Sequence, residues 1–395
     1  MSTVVPTDLR ASTRAVYISF IFLGVAMASF AARIPQIRDE LGLTPSQLGL
    51  VLLSIAVGSI TSLPLAGHIV GRFGSRRTVG ATAVLLGVAL TVVAVGYQFG
   101  VLPVIVGLYL YGFATGAWDV AMNVQGTIVE RGLERSIMPR FHAGYSVGTV
   151  AGALAGAGAV ALGISVTVHM TVCVILAAAA VVATVGSYLP DDAPEPTEPG
   201  GGFGRALSTW REPRTLLIGV FVLAFAFTEG AGIDWISVAL IDDYGAPAAV
   251  GTLGFAVFLA AMTVGRWYGP GLLDRYGRVP VLRVLAVTSL VGLGLFVFGF
   301  ATPIAFAGAL LWGLGASLGF PVGMSAAADE PAKAPARVAV VASIGYCAFL
   351  GGPPLIGFLG DHVTVSRGLL AVGMLLVLSL VLTPALKPPS PSRAS

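Results

Sequence analysis

Twelve stretches of about twenty apolar residues, separated by short charged or Pro/Gly-rich breaks, run through the whole sequence. A hydrocarbon core about 30 Å thick takes about 20 helical residues at 1.5 Å each, so every stretch is long enough to cross it. They fall near 15–35, 47–70, 78–98, 102–128, 141–163, 166–188, 214–241, 249–271, 280–300, 303–325, 336–359 and 364–385. A membrane β-barrel would instead show segments of about ten residues with alternating polarity, and these are missing. The predicted fold is an all-α integral membrane protein of twelve transmembrane helices.

Composition points the same way. Of 395 residues, 56% are hydrophobic and 10% charged, against about 25% charged in soluble domains. That is too little polar surface to face water all round. Arg10, Arg14, the apolar run after them and "ASFAAR" also fit a cleaved secretory signal. Eleven further spans favour a first transmembrane helix.

Basic residues set the expected orientation. With the N-terminus inside and the spans alternating, nineteen of the 22 basic residues fall inside, Arg72, Arg76, Arg77, Arg266, Arg275 and Arg278 among them. Arg33, Arg38 and Arg367 fall outside. The positive-inside rule therefore places both termini in the cytoplasm, and the net charge of +3 reports topology with no nucleic-acid partner implied. Cys173 and Cys347 lie within spans and read as small core residues, not as a disulfide or metal pair. No cofactor or metal is expected.

The Pro-, Gly- and acid-rich segment 190–213 reads as a cytoplasmic linker between an N-terminal six-helix bundle, 1–189, and a C-terminal one, 214–395. The halves echo each other. Gly71-Arg72-Phe73-Gly74 aligns with Asp274-Arg275-Tyr276-Gly277 at an offset of 203 residues, and "YGFATG" aligns with "WGLGAS" at 201. Such a duplication predicts a pseudo-two-fold axis along the membrane normal, with a cavity between the halves.

The loop signature and the six-plus-six plan resemble the major facilitator superfamily over essentially the whole chain. "FAARIPQIRDELGLTPSQLG", "DVAMNVQGTIVERGLERSIMPRFHAGYSVG" and "TEGAGIDWISVAL" are similar to its MosC/YbjJ-like branch. The resemblance implies a monomeric, multi-pass protein of a bacterial-type cytoplasmic (inner) membrane, transporting a small molecule by alternating access. The superfamily's loop motif is Gly, three residues, then Asp, Arg, an aromatic, Gly and Arg. Here the first copy keeps Gly67 but has Gly71 where Asp belongs, and the second keeps Asp274 but opens on Pro270. The expected gating positions are Gly67, Arg72, Gly74, Arg76, Arg77, Asp274, Arg275, Gly277 and Arg278, with an ion pair of the Asp confined to the second half.

A charged side chain at mid-membrane costs about 2.5–3.5 kcal/mol on insertion scales and usually faces a cavity or partner. Asp119, Glu229 and Asp234 lie well inside predicted spans. Tyr111, Thr115, Asp119, Asn123 and Thr127 recur every fourth residue, one polar stripe on one helix face. Either a structural network or a substrate and proton site accounts for it. Glu229 and Asp234, five residues apart, would point about 140° away from each other on a straight helix. Gly230 and Gly232 would permit a break there.

Trp235 is a candidate stacking platform or an interfacial anchor. Arg33 is a candidate partner for an acid or an anionic group, or a snorkelling side chain. His142, with Tyr145 on the same side, is a candidate proton shuttle or a solvated cap. Gln125 joins the candidate substrate contacts. "GYSVG" at 144–148 matches a hydrolase elbow, but that motif requires a strand and a sharp turn. Gly144, Gly148, Gly152 and Gly156 instead form a small-residue face for helix packing.

The reading with most support is a secondary transporter of a small polar, sugar- or cyclitol-like solute, coupled to protons through Asp119, Glu229, Asp234 or His142. A carboxylate in a low-dielectric interior can take a proton from one side and release it to the other. Proton-driven efflux of drug-like molecules and a non-transporting receptor on the same fold remain open. No P-loop is present, so ATP-driven transport is disfavoured, and the protein is not expected to be an enzyme.

Overall fold

The computed structural model describes residues 6–134, 137–191, 208–330 and 333–388. Twelve helices among them are long and apolar enough to cross a membrane. They are α1 (Asp8–Glu40), α2 (Pro45–Phe73), α3 (Ser75–Gly96), α4 (Val101–Leu133), α5 (Met138–Ala161) and α6 (Val166–Val185) in the first half. The second half holds α7 (Pro213–Asp242), α8 (Ala248–Tyr276), α9 (Arg278–Phe298), α10 (Thr302–Ala327), α11 (Ala334–His362) and α12 (Val365–Leu386). Most of the expected linker lies outside the described residues. Because the helices alternate in direction, α1 begins and α12 ends on one side, termed the terminal face; the other is the distal face.

Packing repeats with a shift of six helices. In the first half α1 packs on α5 and α6, α4 on α2 and α3, and α3 on α6. In the second, α7 packs on α11 and α12, α10 on α8 and α9, and α9 on α12. The two bundles meet through α2 against α11 and α5 against α8, which the same shift exchanges. Turn chemistry repeats as well. Gly74 joins α2 to α3 at φ 81°, and Gly277 joins α8 to α9 at φ 79°. A side chain at positive φ is strained, so only glycine makes both turns cheaply.

Which helices meet lipid follows from their exposed faces. Val84, Val88 and Val95 on α3, Val168, Val172 and Ile175 on α6, Val284, Val287 and Val291 on α9, and Met374, Val377 and Val381 on α12 are all exposed and spaced three, four or seven residues apart. Inside lipid every backbone polar group must be satisfied within its own helix. Such faces suit lipid, and the helices that join the two bundles, α2, α5, α8 and α11, are not among these four.

Small residues let the inner helices approach closely. Gly148 and Gly152 of α5 press on the Ile21 and Val25 carbonyls of α1, where any Cβ would collide. "GYSVG" thus lies on a helix-packing face. Two helices are interrupted: α1 turns at Ala32–Arg33, and α10 breaks at Ser317–Leu318. α7 runs unbroken from Pro213 to Asp242. Gly230 and Gly232 do not break it, and Gly232 instead seats the Phe258 ring.

Candidate functional site

A cavity of about 390 Å³ lies between the bundles, lined from both. Its walls are mainly apolar: Phe20, Met27 and Phe30 of α1, Leu52 and Ile55 of α2, Phe320 of α10, and Phe349 of α11. Set into them are Tyr111, Thr115 and Asp119 of α4, His142 and Tyr145 of α5, Glu229 and Asp234 of α7, and Tyr346 of α11. Its lining residues include no lysine or arginine. The cavity touches Glu229, Gly230, Ile233 and Asp234, an arc of about 140° around α7. An unbroken helix thus presents both acids to one space.

On α4 the polar stripe is partly self-satisfied. Asn123 Nδ2 donates to the Asp119 carboxylate (3.1 Å) and to the Asp119 carbonyl (2.8 Å). Thr115 donates back to the Tyr111 carbonyl at 2.9 Å, and Thr127 to that of Asn123 at 3.0 Å. Asn123 supports Asp119 from behind, outside the lining residues.

Glu229 has a cationic partner. Arg266 of α8 places Nη2 2.9 and 2.8 Å from the two carboxylate oxygens. Its Nε reaches the Ser317 carbonyl at 3.2 Å, a group left free by the break in α10. Arg266 lies ten residues before the end of α8, about 15 Å into the helix, and so leaves the set of loop cations to which the sequence assigned it. Asp234, by contrast, makes no hydrogen bond or ion pair with any described residue.

The distal end is sealed by bonds between bundles. Arg38 of α1 grips Asp242 of α7, with Nη2 2.8 Å from Oδ1 and Nη1 bonded to Oδ2. Its own neighbour Asp39 also accepts from it. Asp361 of α11 accepts from the Thr44 hydroxyl (3.1 Å) and the Ser46 amide (3.3 Å) at the start of α2. There Gly49 meets the Pro353 carbonyl and Gly357 that of Pro45.

At the terminal face the networks run within a bundle. Asp191 and Gln125 hold Ser75 in the first. In the second, Asp329 bridges Arg214 and Arg278, and Arg337 bridges Glu212 and Glu330. His142, in the first turns of α5 on the terminal side, lines the cavity and is exposed. The cavity is closed distally and reaches toward the terminal face.

Several candidates stand elsewhere than the cavity. Trp235 is wholly buried in the core, and its indole nitrogen lacks a partner. Gln125 is buried at the terminal end, tied to Ser75, Asp191 and the Leu189 carbonyl. Arg33 does not snorkel and meets no acid among the described residues. It is 2% exposed and donates to His169 Nδ1 (3.1 Å) and the Ile164 carbonyl (2.9 Å). Asp274 is exposed with no ion pair among the described residues, and Arg278 pairs with Asp329 instead. Arg72 and Arg275 each lie over the next aromatic ring, Phe73 and Tyr276. Gly67 leaves open space around its Cα. Cys347 is exposed and Cys173 half-buried, so neither sits in the core.

Sequence reasoning missed Arg266, Arg38, Asp242, Asp361 and Tyr346. Arg266 carried a signal, a lone cation ten residues from the nearest helix end. The positive-inside count grouped it with the cytoplasmic loop cations instead.

Two six-helix bundles around an acid-bearing central cavity define a membrane carrier. A sequence model described as Major Facilitator Superfamily matches residues 16–334, and the chain belongs to that family. It is 30% identical to the transporter y4wD of Sinorhizobium fredii, over 95% of this chain and 98% of that one. Identity to an MFS-type transporter of Yersinia pestis is 31% over 93% of each chain. Identity to the membrane protein MosC of Rhizobium meliloti is 28%, covering 93% of this chain and 89% of MosC. The fold is similar to the nucleoside transporter NupG (TM-score 0.76, 13% identity, 97% and 100% coverage). It is also similar to a D-xylose–proton symporter (TM-score 0.70, 13% identity, 98% and 99% coverage).

Proposed function

We propose that this transporter carries a small polar, hydroxyl-bearing solute across the bacterial inner membrane by alternating access, coupled to protons through Asp119. The observation that carries the reading is the central cavity, sealed at the distal face by Arg38–Asp242 and Asp361–Thr44, with Asp119 on its wall held only by a neutral amide. A carboxylate without a fixed cation can change protonation as access changes, whereas both oxygens of Glu229 are already taken by Arg266. Tyr111, Thr115, Tyr145 and Tyr346 offer hydroxyls between aromatic faces, the pattern of a site for a ring-shaped polar solute. NupG and the xylose symporter, whose names give a nucleoside and a sugar, share the fold. The excess of basic residues on the terminal side supports a cytoplasmic terminal face, and with it an inward-facing described state. One chain encloses the whole cavity, and a monomer is the transport unit.

The test begins with a thermal-shift screen of the purified protein against sugars, cyclitols and nucleosides, since ligand binding raises apparent stability. Solutes that bind are then followed in proteoliposomes under an imposed pH gradient. Wild type accumulates the solute with the gradient, whereas Asp119→Asn binds and exchanges it without accumulation. Accumulation unchanged in Asp119→Asn, or independent of the gradient, refutes coupling at this residue.

A further inference from the structure

We propose that the transported solute carries a protonated amine and that Asp234 receives it. The inference rests on the transport reading of the cavity and adds the charge of its cargo.

Three carboxylates border the cavity, and they differ in how their charge is balanced. Glu229 has both oxygens on Arg266. Asp119 has the Asn123 amide and is the proton carrier. Asp234 has no hydrogen-bond or ion-pair partner among the described residues, and the cavity lining holds no lysine or arginine. An ionised carboxylate deep in a bilayer is costly, and besides taking up a proton, the role given to Asp119, a counter-charge that arrives and leaves with the cargo balances it.

The surrounding wall suits an organic cation. Tyr111, 3% exposed and within electrostatic reach of Asp234, and the rings of Phe30, Tyr346 and Phe349 line the same space. Aromatic faces attract ammonium groups. An anionic solute would meet two carboxylates with no free cation to offset them. A neutral polyol would leave Asp234 unpaired. An amine satisfies it with a charge-assisted hydrogen bond, while its hydroxyls meet the tyrosines.

The test uses the full-length protein in detergent and matched pairs of solutes: glucose and glucosamine, sorbitol and N-methylglucamine, myo-inositol and its monoamine. Thermal unfolding is followed at neutral pH as each is titrated. The expected result is that an amine stabilises the protein at concentrations about tenfold or more below those its neutral parent requires. Asp234→Asn removes that preference and Asp234→Glu retains it, which separates lost recognition from lost folding. Equal response by both members of every pair, absence of response included, overturns the proposal, as does a preference that survives in Asp234→Asn. Gradient-driven transport of a neutral solute would leave the transport reading standing and end this one. Amine binding through Asp234 without gradient-driven movement would support this inference and end proton coupling.

Discussion

Arg266 and Glu229 form an ion pair in the middle of the membrane, one guanidinium nitrogen 2.9 and 2.8 Å from the two carboxylate oxygens. Both side chains are largely but not wholly screened, at 26% and 19% exposure. Removing either leaves a lone charge beside lipid-buried helices. Arg266→Ala and Glu229→Ala should each destabilise the fold by about 2–3 kcal/mol, below the full cost of a wholly buried pair because both side chains keep partial exposure. The double variant should lose clearly less than the sum, with a coupling of about 1 kcal/mol or more from denaturation in detergent. Additive losses would show that the pair makes no joint contribution.

The glycines that turn α2 into α3 and α8 into α9 share one backbone conformation, φ 81° and 79°. Gly74→Ala and Gly277→Ala should each cost about 1–2 kcal/mol, and Val more, through backbone strain at positive φ, to which Gly74 adds a Cβ only 2.9 Å from Asp191 Oδ2. Gly277 makes the cleaner case, since nothing lies within 4 Å of where its Cβ would stand. An unchanged melting temperature for Gly277→Val would contradict this.

Arg337 ties the start of α11 to Glu212 and Glu330 at the terminal face. The hydrogen bond from Arg337 holds the exposed Glu330 carboxyl below its ordinary range. For Glu212 burial acts the other way, but bonds from Arg337 and Thr215 outweigh it and the carboxyl is again lowered. Groups lowered on folding stabilise above their unfolded pKa, about 4.3, and lose that contribution as pH falls through the folded value. The melting-temperature difference between wild type and Arg337→Met should therefore be full at pH 6–7 and shrink only below about pH 4. A difference constant down to pH 3, or lost already at pH 6, would refute the assignment.

Much of the architecture was legible because lipid imposes lengths. An apolar stretch of about twenty residues leaves no alternative to a spanning helix, and Gly74 and Gly277 mark the repeat through a backbone demand. The α4 stripe was legible because four-residue spacing fixes a helix face. What stayed hidden was pairing across the fold. Arg38 and Asp242 lie 204 residues apart, and nothing local to either identifies the other. Trp235 and Gln125 were drawn toward the site by side-chain chemistry alone, although position on the helix turns Trp235 into the core and Gln125 toward Asp191. Breaks were also misplaced. The paired glycines of α7 accommodate the Phe258 ring, while the helix that does break, α10, frees the carbonyl that holds Arg266.

The account's central claim, one cavity opened to either face in turn, is tested most directly by the sidedness of a single cysteine. Cys173 and Cys347 are first replaced by serine and alanine, and Ile233, on the cavity wall, is changed to cysteine. A membrane-impermeant thiol reagent is then applied from each side of oriented vesicles. Ile233→Cys should react from the terminal face, and distal reaction should rise by about tenfold when Asp242→Asn and Asp361→Asn loosen the seal, at the expense of terminal reaction. Reaction from both faces at once, or distal reaction indifferent to Asp242 and Asp361, would contradict the claim.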